Sequence, residues 1–214
     1  MKISIILDDK TNRSSYYLKE IVKNKIELED IVLYNKKNKS NIINFLKNKT
    51  SYKKKLIISH CKNINEKKLA ILLLNLRSKN IIYSSSQIIR NKQVLKKKNM
   101  IHVHAGKIPS FRGSTTIYYS FLKNNHVECT CFVLSEKIDH GDIIGTKKFL
   151  LPLKGSDIES SYDNKIRAIT LVHFLKKKKL LKYRQIKRKP SMYYIAHPII
   201  RFLTIKKINK MKNI

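Results

Sequence analysis

Apolar and polar positions alternate in blocks along the first hundred residues. Residues 2–7 form an apolar run closed by Asp8 and Asp9, and the pattern predicts a buried strand. Helical spacing follows at 14–24, a second apolar run at 30–34, and a short helical stretch at 41–48. The same alternation predicts a strand at 55–59, a helix at 65–76, a strand at 80–83, a short helix at 91–97 and a strand at 100–104. Strands that alternate with helices predict an α/β chain built on a Rossmann-like, doubly wound, mostly parallel sheet. The rhythm then changes. A Thr/Tyr-rich helix is predicted at 115–122, and strands at 129–134 and 143–150 lie close enough to pair antiparallel across the 135–142 loop. Residues 157–175 read as a helix that begins acidic; 176–189 are strongly basic, and Pro190 breaks the run. This pattern predicts a main domain over 1–150. A helical, basic C-terminal extension over 151–214 packs on it, with no Gly/Ser-rich linker and no separate β-barrel domain.

Special backbone conformations are concentrated in one stretch. All five glycines lie between Gly106 and Gly155, and the first 105 residues contain neither Gly nor Pro. Two motifs there run from an apolar strand straight into polar, charged and glycine residues: IHVHAGKIPSFRG at 101–113 and SEKIDHGDIIG at 135–145. In α/β proteins the loops after strand carboxyl ends carry the chemistry. No G-x-G-x-x-G follows the first strand and no G-x-x-x-x-G-K-[ST] occurs anywhere, which argues against a Rossmann dinucleotide site and a P-loop.

Composition changes the picture in three ways. The 42% apolar fraction of 214 residues supports a real core despite a net charge of +33. That charge suits nucleic acid or an anionic membrane surface. Lys outnumbers Arg 39 to 8, however, and Asn and Ile are abundant too, as an AT-rich coding sequence produces. Phosphate- and base-reading surfaces favour Arg, so the composition favours a solvated lysine coat. Cys61, Cys129 and Cys131 form no disulfide framework and no zinc spacing, and predict buried thiols in a reducing cytoplasm. The start, MKISIILDD, is too short for a signal peptide, and no apolar run approaches the ~20 residues of a transmembrane span. The apolar run at 192–205 is interrupted by His197, Pro198 and Arg201, and leaves surface association open.

The candidate chemistry lies in the two glycine-bearing motifs. His102 and His104, two apart on a strand, share one face. Asp139 sits in IDHGD, where Gly141 is expected to permit the turn. Arg112, Ser114, Thr115, His140 and Asp142 complete the polar set. A His brought against an Asp serves acid–base chemistry or half of a metal site, and spacing alone does not choose between them.

The strings HVHAGKIPSFRG and EKIDHGDII resemble the catalytic domain of the folate-dependent formyltransferases. These include methionyl-tRNA formyltransferase, glycinamide ribonucleotide formyltransferase and the sugar N-formyltransferases. Their pattern is Asn-x-His, then Pro, often Arg-Gly, and later Leu/Ile-Asp-x-Gly. Here the His is His104, the Pro is Pro109, Arg-Gly is Arg112–Gly113, and the Asp is Asp139. The resemblance is good over 80–150 and looser over the earlier strands. The runs GSTTIYY at 113–119 and YYIAHP at 193–198 resemble a small bacterial branch tied to surface-sugar biosynthesis. One position departs: His102 stands where the family has Asn. The family's Asn helps hold the oxyanion, and a His also has an N–H to offer.

The resemblance implies formyl transfer from N10-formyltetrahydrofolate to a primary amine, with His104 and Asp139 catalytic and His102 beside them, and no metal. It implies a pterin against Ser86, Gln87, Ile88, Ile89 and Val94, and against Glu136, Lys137 and Ile138. The residues alone read Ile88, Ile89 and Val94 as ordinary core. Arg112, Ser114 and Thr115 are the substrate-side candidates. Methionyl-tRNA formyltransferase carries a β-barrel domain, whereas 64 residues follow Leu150 here and read as helix plus basic tail. That favours a nucleotide-linked amino sugar over tRNA as acceptor. The competing reading is a non-catalytic basic protein that binds nucleic acid or a membrane surface on the same scaffold.

Overall fold

The computed structural model describes residues 2–177, 180–183 and 192–211. Strand β1 (Ile3–Asp8) is buried along its whole length, and α1 (Asn12–Lys23) turns Tyr17, Leu18 and Ile21 inward at helical spacing. There follow β2 (Ile31–Tyr34), α2 (Asn41–Leu46), α3 (Thr50–Lys53), β3 (Leu56–Ile58), α4 (Lys67–Asn75), β4 (Asn80–Tyr83), α5 (Lys92–Lys97) and β5 (Asn99–His104). Then come β6 (Arg112–Gly113), α6 (Thr116–Asn124), β7 (Val127–Val133) and β8 (Ile143–Phe149). A π turn over Ile158–Tyr162 leads into α7 (Asp163–Leu175), and β9 (Met192–Tyr193) precedes α8 (Pro198–Met211).

Seven strands form one sheet in the order β3-β2-β1-β4-β5-β7-β8. The pairs β2–β3, β1–β2, β1–β4 and β4–β5 are parallel, and β7–β8 is antiparallel. The doubly wound, mostly parallel sheet and its antiparallel edge agree with the pattern of the sequence. Two compact units are distinguishable: Met1–His102 with Leu175–Lys179, and Val103–Phe174 with Leu180–Ile214.

In the first unit, polar residues close the strands at their carboxyl ends. Asp8, at the end of β1, is 2% exposed. Its carboxylate accepts from the Lys10 backbone N–H (3.1 Å), Asn35 Nδ2 (3.0 Å), Ser85 Oγ (2.8 Å) and Tyr34 OH (3.3 Å). Asp9 accepts from the Lys37 N–H and from Ser40 Oγ, and Ser40 in turn caps α2 by accepting from the Ile43 N–H. Asn91 caps α5 in the same way through the Val94 N–H. The two aspartates that end the first apolar run thus fasten the ends of β1, β2 and β4.

Three features depart from the sequence reading. Helix α3 and the two-residue parallel pair β6–β9 are too short for periodicity to reveal. Residues 192–205 contain a strand and the start of a helix. Pro198 opens α8 at the position where a missing N–H costs nothing, so it starts a helix rather than interrupting one. Helix 157–175 begins as a π turn capped by Asp157, which accepts from the Ser160 N–H. The basic residues at 178–179 and 184–189 lie outside the described residues.

Asp8→Asn turns an amide NH2 toward a site built entirely of donors. The expected loss is about 2–4 kcal/mol, measured by urea unfolding. A smaller change for Asp9→Asn would fit its shorter list of partners.

Candidate active site

The second unit builds a polar cluster from the 104–116 loop, the 135–142 loop and α7. His104 ends β5 and is 5% exposed. Its Nε2 lies 2.7 Å from the Phe111 carbonyl oxygen, which only accepts, so Nε2 carries the proton. Thr116 Oγ1 lies 3.1 Å from the same nitrogen and donates its own proton to the Ala105 carbonyl, at 2.6 Å. The tautomer is thereby set, and Nδ1 is left to face Asp139 Oδ2 at 3.8 Å. That separation is an ion-pair distance when the ring is charged and too long for a hydrogen bond.

Asp139 is held by backbone. Its Oδ2 accepts from the Gly113 N–H at 2.8 Å, which ties the two motifs together. Asp139 itself adopts the left-handed conformation, φ 54°. This corrects the expectation that Gly141 supplies the turn. Gly141 answers a close approach instead, since a Cβ there would sit 1.6 Å from the Val133 carbonyl oxygen. Arg112 is buried and donates to His140 Nε2 at 2.9 Å, while His140 Nδ1 donates to the Ile138 carbonyl. Burial lowers the Arg112 pKa, and Asp139 opposes that shift.

Burial also lowers the His104 pKa below the ordinary histidine value; Asp139 pulls it up and Arg167 pushes it further down. Arg167 donates to the Val103 carbonyl at 2.5 Å and pairs with Asp163 at 2.8 Å. Thr130 secures the loop between, donating to the Gly106 carbonyl and accepting from the Ile108 N–H. Ile108 packs with Phe132, Ile143 and Leu134 behind the loop. Thr116, Thr130, Asp163 and Arg167 were absent from the sequence candidates. Their signals were faint: a threonine within a buried apolar strand, and an acid–base pair four apart on a helix.

Ser114 and Thr115 meet the β9 segment. The Ser114 N–H donates to the Tyr193 carbonyl, Thr115 Oγ1 accepts from the Ala196 N–H at 2.7 Å, and the Tyr193 ring stacks on Phe111 at 5.2 Å. Gly113, with φ 101°, leaves room for the Tyr193 carbonyl, which a Cβ would approach to 2.1 Å. The two runs singled out in the sequence, 113–119 and 193–198, are therefore packed together. Cys129 and Cys131 are buried thiols, the Cys129 pKa pushed up to about 12 by burial. Among the described residues no group of three His, Cys, Asp or Glu could hold a metal.

In the first unit, His102 Nδ1 donates to the Tyr83 carbonyl at 3.0 Å. The loop after β4 presents Ile88, 55% exposed, and buries Ile89, while Val94 is buried in α5. Ser86, Gln87 and Ile88 line an open cavity of 630 Å³ with Asn63, Asn65, Glu66 and Arg90. Gln87 Oε1 accepts from the Ile64 N–H, and Asn65 binds the Ile88 carbonyl and the Arg90 N–H, so the loop is tied to 62–66. In the second unit, Glu136 and Lys137 are exposed and Ile138 is 48% exposed.

The architecture is that of the formyltransferase fold. No protein-family model and no curated protein sequence matches the chain. Among solved structures, it is similar to methionyl-tRNA formyltransferase from Clostridium thermocellum, at 14% identity over 93% of this chain and 74% of that one, TM-score 0.61. It is similar to a sugar N-formyltransferase from a Shewanella species, at 13% identity over 97% and 88%, TM-score 0.63. A sugar 3-N-formyltransferase solved with dTDP and 5-N-formyl-THF matches at 18% identity over 91% and 69%, TM-score 0.55.

His104 stays neutral in the folded protein at a pH where the unfolded chain binds a proton, near 6.5. Its contribution to stability is therefore complete above that pH and is lost as pH falls below it. The wild type should lose up to about 1.4 kcal/mol per pH unit more than His104→Gln in this range. Denaturant melts of both proteins between neutrality and mild acid check the slope.

Proposed function

We propose that the chain transfers a formyl group from N10-formyltetrahydrofolate to a primary amine, and that the acceptor is a nucleotide-linked amino sugar. The observation that carries this reading is His104 Nδ1 facing Asp139 Oδ2 at 3.8 Å in a chain of formyltransferase fold. The sugar acceptor draws support from fold neighbours that act on sugar amines, one of them solved with dTDP.

The donor supplies an activated formyl carbon. Exposed Ile88 and Ile138 offer its pterin apolar faces, while Ser86, Gln87, Glu136 and Lys137 offer polar edges. Ile89 and Val94 are buried core positions of the same segment. As the acceptor nitrogen bonds to the formyl carbon, its proton passes to the His104–Asp139 pair; when the carbon–N10 bond breaks, the pair returns that proton to N10, which leaves as a neutral amine. A proton on His104 Nδ1 stabilises the oxyanion, and Asp139 favours that protonated ring. Arg112 is buried with its charge favoured by Asp139, and Ser114 and Thr115 lie on the acceptor side.

The test is a formyl-transfer assay with a panel of nucleotide-linked amino sugars and methionyl-tRNA. Asp139→Asn and His104→Ala are each expected to lower kcat/KM by about 10²–10⁴-fold. Transfer only to methionyl-tRNA would move the acceptor, and transfer to nothing would leave the fold without this chemistry.

His102 makes a sharper test. Its Nδ1 proton is committed to the Tyr83 carbonyl, so Nε2 donates to an oxyanion only when the ring is cationic. An Asn amide donates whatever the pH, so His102→Asn should keep or raise kcat/KM in the same assay. Complete loss in folded His102→Asn would give the imidazole a different task.

A further inference from the structure

Helix α8 is apolar on two faces, and only one of them is covered within its unit. Thr204 and Ile208 face α6. Two of the helix cations are also spent inward: Lys207 Nζ donates to the Leu122 carbonyl at 2.5 Å, and Arg201 lies 5.6 Å over the Tyr118 ring and pairs with Glu159 at 2.7 Å. The opposite face carries Ile199 (61% exposed), Phe202 (62%) and Leu203 (44%), followed by exposed Lys206 and Lys210. Spacings of three, four, seven and eleven residues from Ile199 put all five in one stripe. Tyr194 (80%) and Ile195 (71%) extend the exposed apolar surface just before the helix.

The charge in this part of the sequence has one sign. From residue 164 to 214 the chain has 16 Lys and Arg and no Asp or Glu. We infer that this face of α8, with Tyr194 and Ile195, docks on an anionic lipid bilayer, its apolar half entering the headgroup boundary and Lys206 and Lys210 reaching lipid phosphates. Charge complementarity selects this occupant. A second copy would set the same lysines, in a chain of +33, against one another. Nucleic acid has phosphates but no hydrocarbon for three bulky apolar side chains on one stripe. A bilayer surface offers both. A helix of 14 residues is too short to span and suits lying in the interface, and no described helix is long and apolar enough to cross. The inference is independent of the formyl-transfer reading.

Flotation of the full chain with lipid vesicles tests it. Binding is expected to vesicles in which about a third of the lipid is phosphatidylglycerol, to be absent on pure phosphatidylcholine, and to weaken with salt. Lys206→Gln with Lys210→Gln should weaken binding about 30-fold at low salt. Ile199→Ser with Phe202→Ser should weaken it at least about tenfold. The chain has no tryptophan, so Phe202→Trp provides a single reporter whose emission should shift to the blue on anionic vesicles alone. No binding to anionic vesicles, binding indifferent to both double variants, or an unshifted Trp would overturn the inference. So would a dimer in sedimentation that the Ser variant disperses, or an RNA complex tighter than the vesicle complex.

Discussion

The carboxylate of Asp139 is where the second unit comes together. One oxygen accepts the Gly113 N–H and also faces His104 Nδ1, so a single group joins two loops that lie far apart in sequence. Its left-handed backbone aims it there, and Thr116 and the Phe111 carbonyl rotate the imidazole to meet it. The loop carrying Gly113 is pinned in turn by the Tyr193 segment. Loosening any of these contacts changes the separation of His104 and Asp139.

Two opposed forces set the charge state of that pair. Burial disfavours a cationic ring, and the carboxylate favours it. Burial wins for His104, so the resting ring is neutral. The balance is sensitive to the packing around the pair, because water at the ring would weaken both forces.

The lysine-rich surface is more than a uniform coat. Lys98 donates to the Leu76 and Ser78 carbonyls from a position 9% exposed, its pKa lowered by burial. Lys207 closes the Leu122 carbonyl near the end of α6. Long aliphatic stems let these lysines cover apolar surface and cap backbone oxygens at once. Composition alone, by contrast, treats every lysine as equivalent.

Much of the architecture was legible in the order of apolar runs. Strands β1, β2 and β4 are buried along nearly all their length, so they are written as near-continuous hydrophobic stretches, and the antiparallel β7–β8 edge followed from the short 135–142 loop. His104 and Asp139 were legible because both leave a strand into a glycine-bearing loop. Other features were decided only by tertiary packing. The 3.8 Å approach of His104 and Asp139, the role of Gly141 beside Val133, and the β6–β9 pair all depend on segments distant in sequence. Thr116, Thr130 and Arg167 gave little signal, since each donates to a backbone carbonyl whose position is set only once the loops are folded. Pattern reports which side chains leave water, and only the closed fold decides which buried donor meets which acceptor.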